Sequence, residues 1–296
     1  MSEETVIFVV GPTAVGKSAF AVGLAMEYEG KAEIVSADAM QVYRELNLGT
    51  AKPSPDERKG VIHHMIDIAD PKDSFSAGLY SKMANEVVED LLSRGKTPIV
   101  CGGSGLYIHS LLYNLDFSGG GPGQTLRECL NSEAEEKGAA YMHEKLAEKD
   151  PEAASRIHPN NVKRVVRALE RGYGDTESGG IRDFEATYTG QRRYKSRIIR
   201  LTADREALYR QIEKRVDVFF QNGLAAEVRG LLDRGVPKNS TAMQGIGYKE
   251  VVSMLEGEYD EPEAIRLVKQ NTRRYAKRQE TWFKRYGDAE ILHVEL

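Results

Sequence analysis

Gly11-Pro12-Thr13-Ala14-Val15-Gly16-Lys17-Ser18 fits the pattern G-x-x-x-x-G-K-[ST], a loop whose backbone N–H groups wrap phosphate oxygens. The flanking residues supply the context that pattern needs. Thr5–Val10 (TVIFVV) is a short apolar, β-branched run, as expected of a strand buried on both faces. Beyond Lys17, the apolar residues Phe20, Leu24 and Tyr28 recur at helical spacing. A glycine-rich turn between strand and helix aims unpaired amides, and the positive end of the helix dipole, at an anion. In such a loop Lys17 reaches the terminal phosphate and Ser18 offers its hydroxyl to a bound Mg²⁺. The expected architecture is thus α/β: a P-loop NTPase-like parallel sheet flanked by helices. Which phosphate compound it holds stays open at this point.

The strand-helix rhythm continues. Ala32–Ser36 (AEIVS) reads as a second strand with Asp38 just past its end. Ligands of open parallel sheets sit outside the carboxyl ends of the strands, which places Asp38 beside the phosphate loop. The plainer alternative is a loop or helix-cap aspartate. His63–Ile68 (HHMIDI) reads as another extended piece, and adjacent histidines on a strand face opposite ways, a poor metal pair. Leu79, Met83, Val87 and Leu91 mark a helix stopped by Gly95, and Thr97–Cys101 (TPIVC) is a third buried strand. It runs into Gly102-Gly103-Ser104-Gly105, either a second close approach of backbone to ligand or an ordinary tight turn. The strand ends in Cys101-Gly102, where a phosphoryl-transfer enzyme of this class carries a Walker-B aspartate.

The rhythm stops near Phe117–Gly123. Residues 124–171 read as several short helices rich in Glu, Lys and Arg, so residues 117–197 are expected to form a helical insertion between core segments 1–116 and 198–296. Within it Pro159-Asn160-Asn161 starts a helix with Lys163, Arg167 and Arg171 on one face and Val162, Val165, Val166 and Leu169 on the other. Residues 172–190 read as a flexible loop, Arg197–Thr202 as a returning strand, and Asp204 as the cap of a helix carrying Arg215 off its apolar stripe.

The last helix, expected over Glu263–Tyr286, gathers Arg266, Lys269, Arg273, Lys277 and Lys284 into one sector, with Arg274, Arg278 and Arg285 beside it. Val268, Tyr275, Ala276, Trp282 and Phe283 take the opposite, core-facing side. Charge alone leaves two readings, a solvated face or a surface for a polyanion such as RNA. Net charge is −4, so any such surface is local. Two cysteines, Cys101 and Cys129, build no disulfide or zinc framework, and with no membrane-length apolar run or leader pattern the expectation is a cytoplasmic protein.

Taken together, GPTAVGKS (11–18), SADAMQVY (36–43), LGTAKP (48–53), HHMIDI (63–68), GGSGLY (102–107), RIHPNNVKRVVRALE (156–170), GIGYKE (245–250) and AKRQETWF (276–283) resemble the bacterial tRNA dimethylallyltransferases, also called tRNA isopentenyltransferases. The stretches run in family order over nearly the whole chain. The resemblance implies transfer of a dimethylallyl group from dimethylallyl diphosphate to N6 of adenosine 37, next to the anticodon of tRNAs that read codons starting with U. The target base is flipped from the anticodon loop into a channel. It implies Asp38 as general base, Ser104 near the bridging oxygen in place of the family's usual threonine, and Lys17, Arg215 and the 11–18 amides on the diphosphate. Mg²⁺ would sit on Ser18. It also implies tRNA contacts from Asp38, Ala39 (commonly serine in the family), Met40, Gln41, Ser104, Arg127, Lys163, Arg164, Arg167, Gln244, Gly247, Tyr248, Lys249, Lys277, Arg278, Gln279, Trp282 and Lys284, on the anticodon stem-loop of the RNA. The expected partners are tRNA and dimethylallyl diphosphate, with the protein a monomer free of membranes. Competing readings are a P-loop nucleoside or nucleotide kinase, a prenyltransferase for free adenylate, and an RNA-binding NTPase switch.

Overall fold

A computed structural model describes residues 5–113, 115, 124–173 and 190–296. The chain folds into two compact units, Met1–Asn114 with Tyr188–Leu296, and Leu115–Thr187. The break expected at Phe117–Gly123 and most of the loop expected at 172–190 lie outside the described residues.

The first unit is built on a six-stranded sheet: β1 (Val6–Val10), β2 (Ala32–Ser36), β3 (His63–His64), β4 (Thr97–Gly102), β5 (Ser196–Thr202) and β6 (Glu290–His293). Every pairing is parallel, in the order β3-β2-β4-β1-β5-β6. β1 lies between β4 and β5, pairing Val9 with Cys101 and with Ile199. Helices cover such a sheet on both faces, which is why β1 and β2 are buried at every position and read as unbroken apolar runs. Helix α1 (Lys17–Glu27) packs Ala21, Val22 and Ala25 into a cluster with Ile7, Val9, Ile34, Ile99 and Ile199.

Two features depart from the sequence expectation. The extended piece at 63–68 pairs for only two residues, because Met65 and Asp67 adopt φ of 62° and 59° and turn the chain away. From there Ile68 and Ala69 donate to the Val42 carbonyl, at 2.8 and 2.9 Å. β6 was not foreseen: Glu290, Ile291 and His293 are exposed on the sheet edge, so the strand carries no buried apolar signature.

The remaining elements of this unit are α2 (Pro55–Arg58), α3 (Ala77–Ser93), α4 (Gly105–Leu112), α8 (Arg205–Gln221), α9 (Leu224–Asp233), α10 (Tyr248–Leu255) and α11 (Glu261–Phe283). Asp204 caps α8 through bonds from Glu206 N and Ala207 N. Asp260 caps α11 through Glu263 N at 3.0 Å, with Pro262 in the first turn, where a missing N–H costs nothing.

The second unit holds α5 (Gln124–Lys149), α6 (Pro151–Arg156) and α7 (Val162–Tyr173). Gly138 breaks α5 with φ 83°, ψ 171°. Leu130, Met142, Leu146, Val165, Val166 and Leu169 form its core, in line with the apolar face read from α7. The return to the sheet comes earlier than residue 198. Arg193 N donates to Leu112 O at 2.8 Å, and the Arg192 guanidinium meets Asp288 at 2.6 Å, so residues 190–197 belong with the α/β unit.

Candidate active site

Three loops at the carboxyl edge of the sheet meet here: 11–16 after β1, 37–41 after β2 and 103–104 after β4. Gly11 has φ 151°, and a Cβ there would lie 2.6 Å from the Leu201 carbonyl oxygen. Gly16 caps α1 at φ 88°, and Ala14 takes φ 67°, a left-handed conformation an alanine adopts at some cost. Val15 is fully buried and anchors the loop in the core. Lys17 Nζ donates to Pro12 O at 2.7 Å.

Two helices from the far end of the chain brace this loop. Arg215 on α8 donates through Nη2 to Thr13 Oγ1 and lies 5.5 Å over the Phe219 ring. Gln279 on α11 accepts from Thr13 N at 2.7 Å and donates to Gly103 O at 2.9 Å. Tyr275, one turn earlier, donates to the same carbonyl at 3.3 Å.

The Asp38 loop is tied to Ser104. Ser104 Oγ accepts from Ala39 N at 2.9 Å, and Ser104 N donates to Ala37 O at 3.1 Å. Asp38 accepts from Met40 N (2.9 Å) and Gln41 N (3.3 Å), both at Oδ1. Among the described residues Oδ2 accepts no hydrogen bond, so one carboxylate oxygen fixes the turn and the other is available for chemistry. The loops approach so closely that a Cβ at Gly102 would fall 2.1 Å from the Ala37 oxygen.

Two cavities open on this junction. One, of about 250 Å³, is lined by the 13–19 loop and helix start, Gln41, Glu57, Cys101 and Gly102-Gly103. The other, of about 410 Å³, is lined by Ala39, Met40, Ser104, the apolar Val216, Phe219 and Val268, Gln244–Gly247, Lys249, Tyr275 and Arg278. Thr13, Asp38, Thr50 and Arg215 line both. A polar chamber and a partly apolar chamber therefore share a wall made of one carboxylate, one guanidinium and two hydroxyls.

Burial pushes the Lys17 ammonium down to about 8, with Arg215 adding to the effect and Cys101 and Asp38 opposing it. Burial likewise lowers Arg215 to about 10, so it stays charged at neutral pH. Burial raises the Cys101 thiol to about 11, which keeps it a thiol and makes it a packing residue at the end of β4. Among the described residues no group of three His, Cys, Asp or Glu is placed to hold a metal ion. His63 and His64 serve hydrogen bonds instead, to Val61 O (2.9 Å) and to the buried Glu33 (2.6 Å).

Several residues assigned to RNA by sequence take other places. Tyr248 is fully buried, its hydroxyl on Glu227 Oε1 at 2.6 Å. Gln279 is 4% exposed and its amide is fully engaged. Gln41 lines the smaller chamber, its amide held between Ser36 Oγ and the carbonyls of Thr50 and Ala51. Gly247 gives its N–H to Glu250 at 2.7 Å but still lines the larger chamber. Trp282 is half-buried, its ring filling the space a Cβ at Gly105 would need. Ala39, Met40, Ser104, Gln244, Lys249 and Arg278 do line the larger chamber.

On α11 three of the five residues of the basic sector are neutralised: Arg266 pairs with Glu263, Lys269 with Asp217 and Arg273 with Glu213. Lys277 and Lys284 are exposed and make no ion pair among the described residues. In the helical unit Arg127 and Arg167 both bind the buried Glu170, while Lys163 and Arg164 are exposed.

Sequence reasoning missed Thr50 and Glu227. Glu227 on α9 accepts from Asn47 N (3.2 Å), Leu48 N (3.0 Å) and Tyr248 OH, so it holds the 47–51 loop against the start of α10. A Cβ on Gly49 would lie 2.5 Å from the Tyr248 ring. Nothing in the spacing marks Glu227, which sits on an ordinary amphipathic helix.

Known proteins resemble this chain in sequence and in fold. The IPP transferase family model matches residues 41–286. A tRNA dimethylallyltransferase of Alkaliphilus metalliredigens is 46% identical over 286 residues, 97% of this chain and 90% of its own. One from Clostridioides difficile is 44% identical over 295 residues, covering 100% and 93%. Among solved structures, the full-length tRNA isopentenylpyrophosphate transferase of Bacillus halodurans superposes with a TM-score of 0.72 at 37% identity, over 99% of this chain and 92% of that one. A eukaryotic dimethylallyltransferase acting on tRNA gives 0.80 at 27% identity, over 98% and 74%.

Proposed function

This chain belongs to the IPP transferase family and is an enzyme of the tRNA dimethylallyltransferase type, and from that premise we propose how its two chambers divide the reaction. The smaller chamber holds the diphosphate of dimethylallyl diphosphate. The larger one receives the flipped adenine of adenosine 37 from the anticodon stem-loop of tRNAs reading codons that start with U. N6 attacks C1 of the prenyl group as the C1–O bond breaks, the N6 proton passes to Asp38, and diphosphate leaves. The shared wall carries the reading: Asp38 and Arg215 both face each chamber, so one can meet the nucleophile's proton while the other meets the leaving group's charge. The exocyclic amine is a poor nucleophile, its lone pair delocalised into the ring, and needs that base as the bond forms.

The donor set suits Mg²⁺. The small chamber offers a hard oxygen ligand, the Ser18 hydroxyl, to an ion that keeps several waters and takes further ligands from substrate phosphates. Ser18 would hold it, and bound there it would offset charge on the diphosphate. Two free cysteines suit an enzyme working in the cytoplasm, which we take to act as a monomer. No helix among the described residues is long and apolar enough to cross a membrane.

Protein, Mg²⁺, labelled dimethylallyl diphosphate, AMP, ATP and a stem-loop carrying A36-A37 should yield labelled RNA. Label on free AMP and none on RNA would favour an adenylate prenyltransferase, and ATP cleavage without transfer a kinase or switch. The kinase reading lacks its Walker-B aspartate: β4 ends in Cys101-Gly102.

Two further outcomes are expected. Dimethylallyl diphosphate affinity should fall as pH rises above 8. Free Lys17 loses its proton near that value, and a bound anion raises its pKa, so binding above pH 8 takes up a proton. The loss approaches about tenfold per pH unit, beyond the phosphate's own ionisation near 6. Calorimetry from pH 7 to 9.5 reads it, and a flat profile would mean that Lys17 takes up no proton on binding. Separately, Lys277→Ala and Lys284→Ala should weaken stem-loop binding and reduce the salt slope by about 1 each. Arg273→Ala should change neither, since its charge already faces Glu213. Equal effects from all three would dissolve the distinction between the two halves of α11.

A further inference from the structure

Gln279 lies within a sequence, Lys277-Arg278-Gln279, that reads as RNA-facing, yet its side chain points the other way, into the junction of the phosphate loop and the β4 loop. Its two partners are a backbone donor, Thr13 N–H, and a backbone acceptor, Gly103 C=O. One side chain can serve both only if it carries a neutral acceptor and a neutral donor on a single planar group. Among side chains of this reach that is glutamine: a carboxylate repels the Gly103 oxygen and an ammonium repels the Thr13 N–H. Room is made for it, because a Cβ on Gly103 would fall 2.1 Å from Gln279 Nε2. Tyr275, on the same face of α11, donates to the second lone pair of the same carbonyl. Beyond Gly103 the connections continue through Ser104, whose Oγ holds Ala39 N beside Asp38.

We propose that Gln279 is the positioning residue of the reaction: one buried amide on α11 holds the diphosphate loop in register with the Gly103-Ser104 loop and, through it, with the Asp38 turn. This rests on the proposed assignment of the 11–18 loop to the diphosphate. Gln279 itself touches neither substrate. Its role is to fix where Thr13 and the amides that follow it lie relative to the base. Without it, Thr13 N–H loses its partner, Gly103 C=O keeps only the Tyr275 hydroxyl, and the loop samples other positions.

The test is substrate binding and turnover in two variants. Gln279→Leu removes both bonds and is expected to weaken dimethylallyl diphosphate binding in the presence of Mg²⁺ by about tenfold or more, the order set by a buried polar group losing its partner. Its kcat should fall as well, while stem-loop affinity and its salt slope stay at wild-type values. Gln279→Glu adds a readout that a merely structural role would not move. As a carboxylate the introduced group accepts from Thr13 N–H but cannot donate to Gly103, and when protonated it can do both. Its diphosphate affinity, relative to wild type, should therefore recover as pH is lowered, and this profile decides the matter if the leucine variant folds poorly by thermal melt.

Three results would overturn the proposal: lost stem-loop affinity with unchanged diphosphate affinity, which would make Gln279 an RNA contact; no change in either; or a glutamate variant whose defect is independent of pH. Wild-type protein that binds no dimethylallyl diphosphate would instead overturn the assignment of the loop, and this inference with it. Normal wild-type binding with unaffected variants sinks the inference alone.

Discussion

Asp38→Asn is expected to slow single-turnover transfer of the dimethylallyl group by about two to four decades, the contribution typical of a positioned general base. Asparagine is the informative replacement because of how Asp38 sits. Its Oδ1 accepts the N–H groups of Met40 and Gln41, and an amide oxygen keeps both bonds while being unable to take up a proton. Stem-loop affinity and thermal stability should remain at wild-type values. Alanine would remove the turn along with the base, so a loss in that variant would mix misplacement of Ala39 and Met40 with the missing proton acceptor. Transfer at the wild-type rate in the asparagine variant would eliminate Asp38 from the proton transfer.

Arg215→Met should lower kcat by about two to three decades, comparable with removing one donor from a preorganised oxyanion site. The half-buried guanidinium lies between Thr13 Oγ1 and the Phe219 ring, and although desolvation pulls it to about 10 it keeps its charge where the enzyme works. It is held in place before any negative charge develops on the leaving oxygen, which is what makes it effective in the transition state. The discriminating measurement is the split of the loss. A fall in kcat with a smaller rise in KM for dimethylallyl diphosphate marks transition-state stabilisation, whereas a rise in KM alone would make Arg215 a holder of bound substrate.

The parts of the site that were legible in the sequence are those whose local pattern dictates their environment. The 11–18 loop needs particular residues at particular spacings, and strands buried on both faces announce themselves by composition, so β1, β2 and β4 were readable, while β5 showed through its apolar Ile198, Ile199 and Leu201. Asp38 followed from topology, since residues just past a parallel strand line the ligand edge. What the sequence hid is pairing. Lys269 and Arg273 look no different from Lys277 until Asp217 and Glu213 are brought alongside by α8. Tyr275 falls on the core side of the helical wheel and yet lines the larger chamber, because α11 runs along the edge of that chamber. Arg127 and Arg167 read as anion binders, but the anion the fold gives them is the buried carboxylate of Glu170. β6 escaped notice because an edge strand with exposed side chains carries no periodic signal.

The contact among Gly49, Tyr248 and Glu227 bears on how such enzymes diverge. A ring packed against a residue with no side chain leaves neither partner free to change size by itself, and the shared carboxylate fixes their separation. Gly49→Ala should therefore be tolerated only where position 248 has shrunk, for example to leucine, and relatives should accept changes at the two positions as a pair. A chimera that takes the 47–51 loop from one relative and the 245–250 turn from another would inherit mismatched halves of one part.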